Sequence, residues 1–182
     1  KTETELLPIL IEMRAVGVRV DLLEAEKLKK EFVAKEDKIL LKIKKEAGLD
    51  VDIFAARSIA KAFDKLKIKY PLTEKAKEPS FTANWLLNCE YPIAKYIREA
   101  REVHKFHATF IDSILKYQHN GRIHAEIHQL RGDGGGTVSG RLSYSNPNLQ
   151  QVPARNKELG TRIRSLFKPE SGLQWGSFDY SQ

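Results

Sequence analysis

Residues 137–156 read T-V-S-G-R-L-S-Y-S-N-P-N-L-Q-Q-V-P-A-R-N, 160–167 read G-T-R-I-R-S-L-F, and 176–182 read G-S-F-D-Y-S-Q. The first block strings Arg141, Asn148, Gln150, Gln151 and Arg155 along a Gly/Ser/Asn-rich chain with little apolar bulk between them. Such planar, hydrogen-bonding side chains suit either a loop that braces its own backbone or a surface that reads planar acceptors. Further on, Trp175, Ser177 and Asp179 alternate with Gly176, Phe178 and Tyr180. Period-two alternation predicts a strand with Asp179 at its end. An aspartate so placed is otherwise an ordinary cap or turn residue.

The pattern G-R-L-S…P-N-L-Q-x-x-P-x-R…D-Y-S-Q resembles the family A DNA polymerases, bacterial DNA polymerase I and its phage relatives. Several blocks fall in order over about 45 residues, which makes the match more specific than one short motif. Tyr144 stands where the family repeats Ser, and Gln151 replaces an Asn. D-Y-S-Q corresponds to the opening of the first catalytic-aspartate motif of the palm, and the I-E-L-R that completes it lies beyond Gln182.

The resemblance implies DNA-templated nucleotidyl transfer from a dNTP to a primer 3′-OH, assisted by two Mg²⁺ ions. It makes Asp179 a catalytic carboxylate and metal ligand, with the Tyr180 backbone carbonyl as a further oxygen. Hard oxygen ligands of this kind are what Mg²⁺ takes. Arg141, Asn148, Gln150, Gln151 and Arg155 become DNA-binding candidates. The minor groove offers an acceptor at every Watson–Crick pair, so long planar donors can hold a primer end without reading sequence. The alternative for these side chains is a loop bonded to itself.

Over 182 residues with 41% hydrophobic content, the chain can bury a core for one domain or a domain and a half. A net charge of +7 suits a polyanionic partner. Cys89 is the only cysteine, which excludes a disulfide framework or a thiolate metal site. No apolar run approaches the ~18 residues that span a membrane, and no membrane partner is expected. With the resemblance, this implies a cytoplasmic protein of a bacterial or phage-infected cell. The chain opens on Lys1 and stops inside a motif, so we expect a piece of something longer: an excised piece, one chain of a split polymerase, or a degraded copy.

In chain order, 4–16 predict a helix with Leu6, Ile9, Leu10 and Met13 on one stripe, stopped at Gly17. Residues 22–47 predict a long helix capped by Asp21, with Ala25, Leu28, Phe32, Ile39 and Ile43 on its apolar face. A short helix near 57–67 carries Lys65 and Lys67 within a basic, loop-rich stretch. There P-L-T-E-K-A-K-E-P-S-F-T-A-N-W-L (71–86) is similar to a phage-type thumb tip that has lost a central glycine. Both a duplex-tracking thumb tip, with Lys65 and Lys67 on phosphates, and a flexible basic loop fit this stretch.

Residues 92–118 predict a second long helix. Ile93, Ile97, Ala100, His104, His107, Ile111 and Ile114 form one stripe, with Tyr96, Val103, Phe110 and Tyr117 beside it. That pattern implies antiparallel packing on the 22–47 helix. His104 and His107 stand at metal-pair spacing, but no Cys or third His follows in motif spacing, so packing histidines are the expectation. After Asn120-Gly121, 122–130 predict a strand with His124, Glu126 and His128 on its solvent side. G-D-G-G-G-T (132–137) lacks the G-K-[ST] ending of a phosphate loop and reads as a mobile link.

The whole predicts an α+β fold: long antiparallel helices forming a thumb, then the first antiparallel palm strands of a right-hand polymerase, near 122–130, 161–167 and 173–180. The divisions are a connector (1–21), a helical thumb (22–121) and the beginning of a palm (122–182). Its partners are primer–template duplex DNA, dNTP, and the remaining palm and fingers. The rival from another class is a non-catalytic duplex DNA-binding module derived from a polymerase. A nuclease is disfavoured because no D-x-E constellation appears.

Overall fold

A carboxylate starts the longest element. Asp21 Oδ1 accepts the Glu24 backbone N–H at 3.0 Å, satisfying an orphan donor of the first turn of a helix running Leu22–Ala47. The chain is described here by a computed structural model, which covers residues 2–130, 132, 135–152, 156, 158–176 and 178. Its elements in order are α1 (Thr2–Val16), β1 (Val18–Arg19), α2 (Leu22–Ala47), α3 (Ala56–Lys65), α4 (Ala83–Asn88) and α5 (Pro92–His104). A π-helical stretch (Lys105–Ile111) leads into α6 (Asp112–Tyr117), β2 (Gln118–His119), β3 (Arg122–Ile123), β4 (Glu126–His128) and β5 (Ser143–Ser145). A 3₁₀ turn (Leu149–Gln151) and α7 (Leu159–Arg164) follow. Helices dominate and all strand pairings are antiparallel, an α+β fold. The chain divides into two compact units, Lys29–His107 and the remainder (1–28 with 108–182).

In the Lys29–His107 unit, α2 and α5 run antiparallel. Phe32 meets Phe106 edge-on at 6.3 Å, Lys35 faces Glu99 at 4.0 Å, and Lys42 sits over the Tyr96 ring at 5.7 Å. The predicted apolar positions Phe32, Ile39, Ile43, Ile93, Ile97 and Ala100 are all buried. Phe63, Tyr70, Phe81 and Trp85 form an aromatic cluster with ring centroids 5.2 to 6.3 Å apart. Arg101 ties the intervening loops by donating to the carbonyls of Ile53 at 2.6 Å and Phe81 at 2.9 Å.

The other unit pairs β1 and β2 on either side of β3. Asn120 and Gly121, both at positive φ (49° and 74°), make the two-residue turn that matches the twist of β2 and β3. Arg122 donates to the Val16 carbonyl at 2.7 Å and pairs with Glu170 at 2.6 Å. Gly17, at φ +64°, lets the chain leave α1 where a Cβ would lie 2.7 Å from both Ile123 O and His124 Nδ1.

Three expectations change. The strand expected over 161–167 is mostly helix. Leu159, Ile163 and Leu166 are buried at i, i+4 and i+7, a helical period that outweighs the β-branched residues between them. Only 166–168 behave as a strand, bonding to Arg19 and Asp21 and bridging Phe167 to Val20. The strand expected over 173–180 does not form among its described residues, 173–176 and 178. Alternation alone makes no strand without a ladder partner, and Trp175 and Phe178 are exposed. The stripe of α1 is also largely unburied, since Leu10 is in the core but Ile9 and Met13 are about half exposed.

Candidate nucleic-acid interface

The G-R-L-S-Y-S-N-P-N-L-Q run is held by a short sheet. β4 pairs β5 in the register Glu126↔Ser145, Ile127↔Tyr144 and His128↔Ser143. The Glu126 carboxylate gathers the far end of β5, with Ser145 Oγ donating to Oε2 at 3.1 Å and Asn146 Nδ2 at 3.2 Å. His128 Nε2 lies 2.7 Å from Ser145 Oγ. His124 Nδ1 donates to the Arg14 carbonyl at 2.9 Å, and Arg14 faces Glu126 at 3.7 Å. Sequence reasoning placed His124, Glu126 and His128 on a solvent-facing side. They are half-buried and partnered, and no local pattern could name hydrogen-bond partners 17 to 110 residues away.

Beyond β5 the loop braces itself. Asn148 Oδ1 accepts the Gln150 backbone N–H at 3.1 Å, which caps the 3₁₀ turn. Gln150 Nε2 donates to the Leu142 carbonyl at 2.9 Å, and Thr137 Oγ1 donates to the Arg141 carbonyl at 2.6 Å. The Asn148 and Gln150 side chains are thus engaged with backbone. Arg141 differs. It is exposed, and its guanidinium makes no hydrogen bond or ion pair to another described residue. Gln151 is exposed and lines a cleft of about 330 Å³ with Tyr117, Tyr144, Pro147 and Phe167. Arg155, Asp179 and Tyr180 lie outside the described residues.

In the Lys29–His107 unit, Lys61, Lys65, Lys67, Lys69, Lys75 and Lys77 are all exposed. Lys65 Nζ donates to the Gly48 carbonyl at 2.8 Å, at the end of α2. Lys67, at φ +56°, is the left-handed residue that closes α3. Ile68 N bonds back to the Phe63 carbonyl and Lys67 N to that of Asp64, the double bond of a Schellman cap. Around the tip, Thr73 N bonds the Glu78 carbonyl, and Leu72 bridges Pro79. Lys77 takes φ +53°, a conformation a glycine adopts without strain, so the tip closes although the expected glycine is missing. Arg57 donates to both Glu78 oxygens, at 2.8 and 3.4 Å. This hydrogen bonding, reinforced by charge attraction, lowers the Glu78 pKa from its ordinary value and raises that of Arg57.

Comparison with known proteins places this arrangement. The model of DNA polymerase family A matches residues 23–182. The DNA-directed DNA polymerase of Pseudomonas phage M6 is 35% identical over 190 residues, spanning 99% of this chain and 28% of that protein. The thermostable DNA polymerase I of Thermus aquaticus is 32% identical over 188 residues, spanning all of this chain and 22% of its own. Among solved structures, the POL domain of Pol1 from M. smegmatis, in complex with DNA primer-template and dNTP, superposes with a TM-score of 0.74 at 28% identity. That match covers 87% of this chain and 28% of the other. The chain spans about a fifth to a third of the length of the curated relatives it matches. No helix is long and apolar enough to cross a membrane among the described residues. With a family match over 160 of its 182 residues (23 to 182 inclusive), the chain belongs to the family A DNA polymerases.

Proposed function

We propose that this chain is the thumb and the entry to the palm of a DNA-templated DNA polymerase, which extends a primer 3′-OH with dNTPs. The observation that carries the proposal is the likeness, across 87% of the chain, to a polymerase domain solved with primer-template and dNTP. In this reading 1–21 connect into the polymerase domain, 22–121 form the thumb and 122–182 begin the palm. The basic exposed tip neutralises phosphates, a contact that is independent of sequence and weakens with salt. Arg141, with no bonded side-chain partner among the described residues, is the planar donor for minor-groove acceptors beside the primer terminus; Gln151 extends that surface, and Arg155 is a further candidate DNA contact. Asn148 and Gln150 set the loop's shape through Oδ1 and one Nε2 hydrogen, and their amide N–H donors outside those bonds can reach DNA.

The donor set at the end of the chain, the Asp179 carboxylate with the Tyr180 carbonyl, is all hard oxygen and fits Mg²⁺. When bound there, Mg²⁺ supplies charge stabilisation to the transferring phosphoryl group. The remaining palm and fingers complete the site.

The test is primer extension beside a duplex-binding titration, in a polymerase where this chain is joined to the remaining palm and fingers. Asp179→Asn is expected to cut incorporation by at least about 10²-fold, with primer–template affinity within a few-fold of wild type. Incorporation at the wild-type rate would overturn the catalytic assignment. Tight duplex binding by the completed protein without any incorporation would favour the non-catalytic binding module.

A further inference from the structure

The apolar stripe of α2 is interrupted once. Between Phe32 and Ile39 it carries Glu36, which is only 9% exposed. A carboxylate on a core face costs several kcal/mol unless it is paired. Its partners come from the far end of the chain segment that packs on α2. Glu36 Oε1 lies 3.0 Å from His104 Nδ1, and Oε2 lies 2.5 Å from His107 Nε2, across 68 and 71 residues. The two rings stand 5.0 Å apart, nearly edge to face. Phe54 covers His104 with ring centroids 4.7 Å apart. His107 belongs to the π-helical stretch, a local departure from α geometry that often accompanies function.

We propose that Glu36, His104 and His107 form a site for a zinc-type divalent cation, one that clamps α2 to the helix it packs against. One ligand atom from each residue lies within 4.8 Å of the other two. A tetrahedral centre with bonds of about 2.0–2.1 Å has ligand–ligand edges of about 3.3 Å, so small side-chain rotations bring the three atoms onto one ion. Two imidazole nitrogens and a carboxylate suit Zn²⁺ and disfavour Mg²⁺ or Ca²⁺, which take all-oxygen sets. The Glu36 and His107 side chains are 11% and 10% exposed and that of His104 is 38% exposed. Solvent therefore reaches the site along His104, where a water can complete the fourth position. Loading requires unprotonated Nδ1 on His104 and Nε2 on His107, each ring keeping its proton on the other nitrogen. Lys35, the neighbouring cation on α2, is turned to Glu99 at 4.0 Å.

The experiment uses the full chain, stripped with a chelator and titrated with Co²⁺ and then Zn²⁺. One equivalent of Co²⁺ is expected to give the intense visible absorption of a four-coordinate nitrogen–oxygen site, lost on adding Zn²⁺. An all-oxygen site at the end of the chain would give only weak six-coordinate bands. At Zn²⁺ about 100 times its Kd, Tm should rise by about 5 °C or more. Glu36→Gln and His104→Gln should each weaken Zn²⁺ binding by at least about 100-fold. His128→Gln, at a half-buried histidine of the other unit, should leave it unchanged. His104 is the most exposed of the three, so its variant decides the matter if Glu36→Gln does not fold. Absence of the Co²⁺ band in the wild type, wild-type Zn²⁺ affinity in His104→Gln, or loss of the band in His128→Gln would each overturn the proposal.

Discussion

The side-chain amide of Gln150 donates to the backbone carbonyl of Leu142 at 2.9 Å, closing the loop that presents Arg141. Gln150→Ala leaves that carbonyl to water and should cost about 0.5–1 kcal/mol. Arg141→Ala removes an exposed side chain with no bonded partner among the described residues, and should shift stability by less than about 0.5 kcal/mol. In the completed enzyme the order reverses, with Arg141→Ala the more damaging to extension and to mismatch sensitivity. Urea melts beside primer extension separate the two. Equal melting loss for both variants would contradict the bracing role of Gln150.

Lys67 occupies a left-handed position at the end of α3, where a non-glycine residue pays about 1–2 kcal/mol of backbone strain. Lys67→Gly should relieve it, for a net gain of about 0.5–1 kcal/mol after the larger unfolded-state entropy of glycine. The same change deletes a candidate phosphate contact. Duplex affinity should fall, and the slope of log K against log salt should shrink by about 0.9. A variant that melts higher yet binds DNA less well is the expected result; unchanged binding would remove Lys67 from the interface.

Glu78 gives the tip its pH dependence. Its hydrogen bonds and charge attraction to Arg57 hold its folded pKa below the ordinary value of 4.5. A depressed carboxylate contributes stability above its unfolded pKa and loses it as pH falls through the folded one. The Tm difference between wild type and Glu78→Gln should therefore be largest near neutrality and shrink once pH falls below the ordinary value of 4.5 and on through the lower folded pKa. Because the pair lies at the surface, added salt should shrink the difference. A gap that widens in acid would refute this account.

Arg101 spans two loops through one guanidinium, bonding Ile53 O and Phe81 O. Burial lowers its pKa, and the charge of Asp52 partly opposes that shift. An ammonium cannot reproduce the planar fork, so Arg101→Lys should cost about 2–3 kcal/mol. That corresponds to about 5–10 °C in Tm. Calorimetry would show it, and a loss no larger than that of an exposed Arg→Lys control would count against the two-carbonyl brace.

Much of the framework was legible in the sequence because it rests on local order. The 3.6-residue stripe from Ala25 to Ile43, with Asp21 before it, specifies α2 without reference to the rest of the chain. Asn120-Gly121 specifies its hairpin turn in the same way. The motif blocks from Gly140 to Gln151 identified the family before any contact was known. Where two periods compete over a few residues, local pattern fails. Leu159, Ile163 and Leu166 follow the helical one because that period buries all three. Trp175 to Phe178 show the converse, alternation without a partner strand among the described residues.

Tertiary structure alone decided which polar groups meet. Asn148 and Gln150 looked identical in kind to Arg141, yet folding commits two of them to backbone and leaves the guanidinium unengaged among the described residues. His104 and His107 read as packing residues, and they do pack, half-buried and buried, against α2. Their carboxylate stands 68 to 71 residues away on another helix. Periodicity reports which face of a helix is covered, through an energy that is nearly non-directional. Hydrogen bonds and metal ligands need particular atoms within about 3 Å, and only the packing of one helix on another sets those distances.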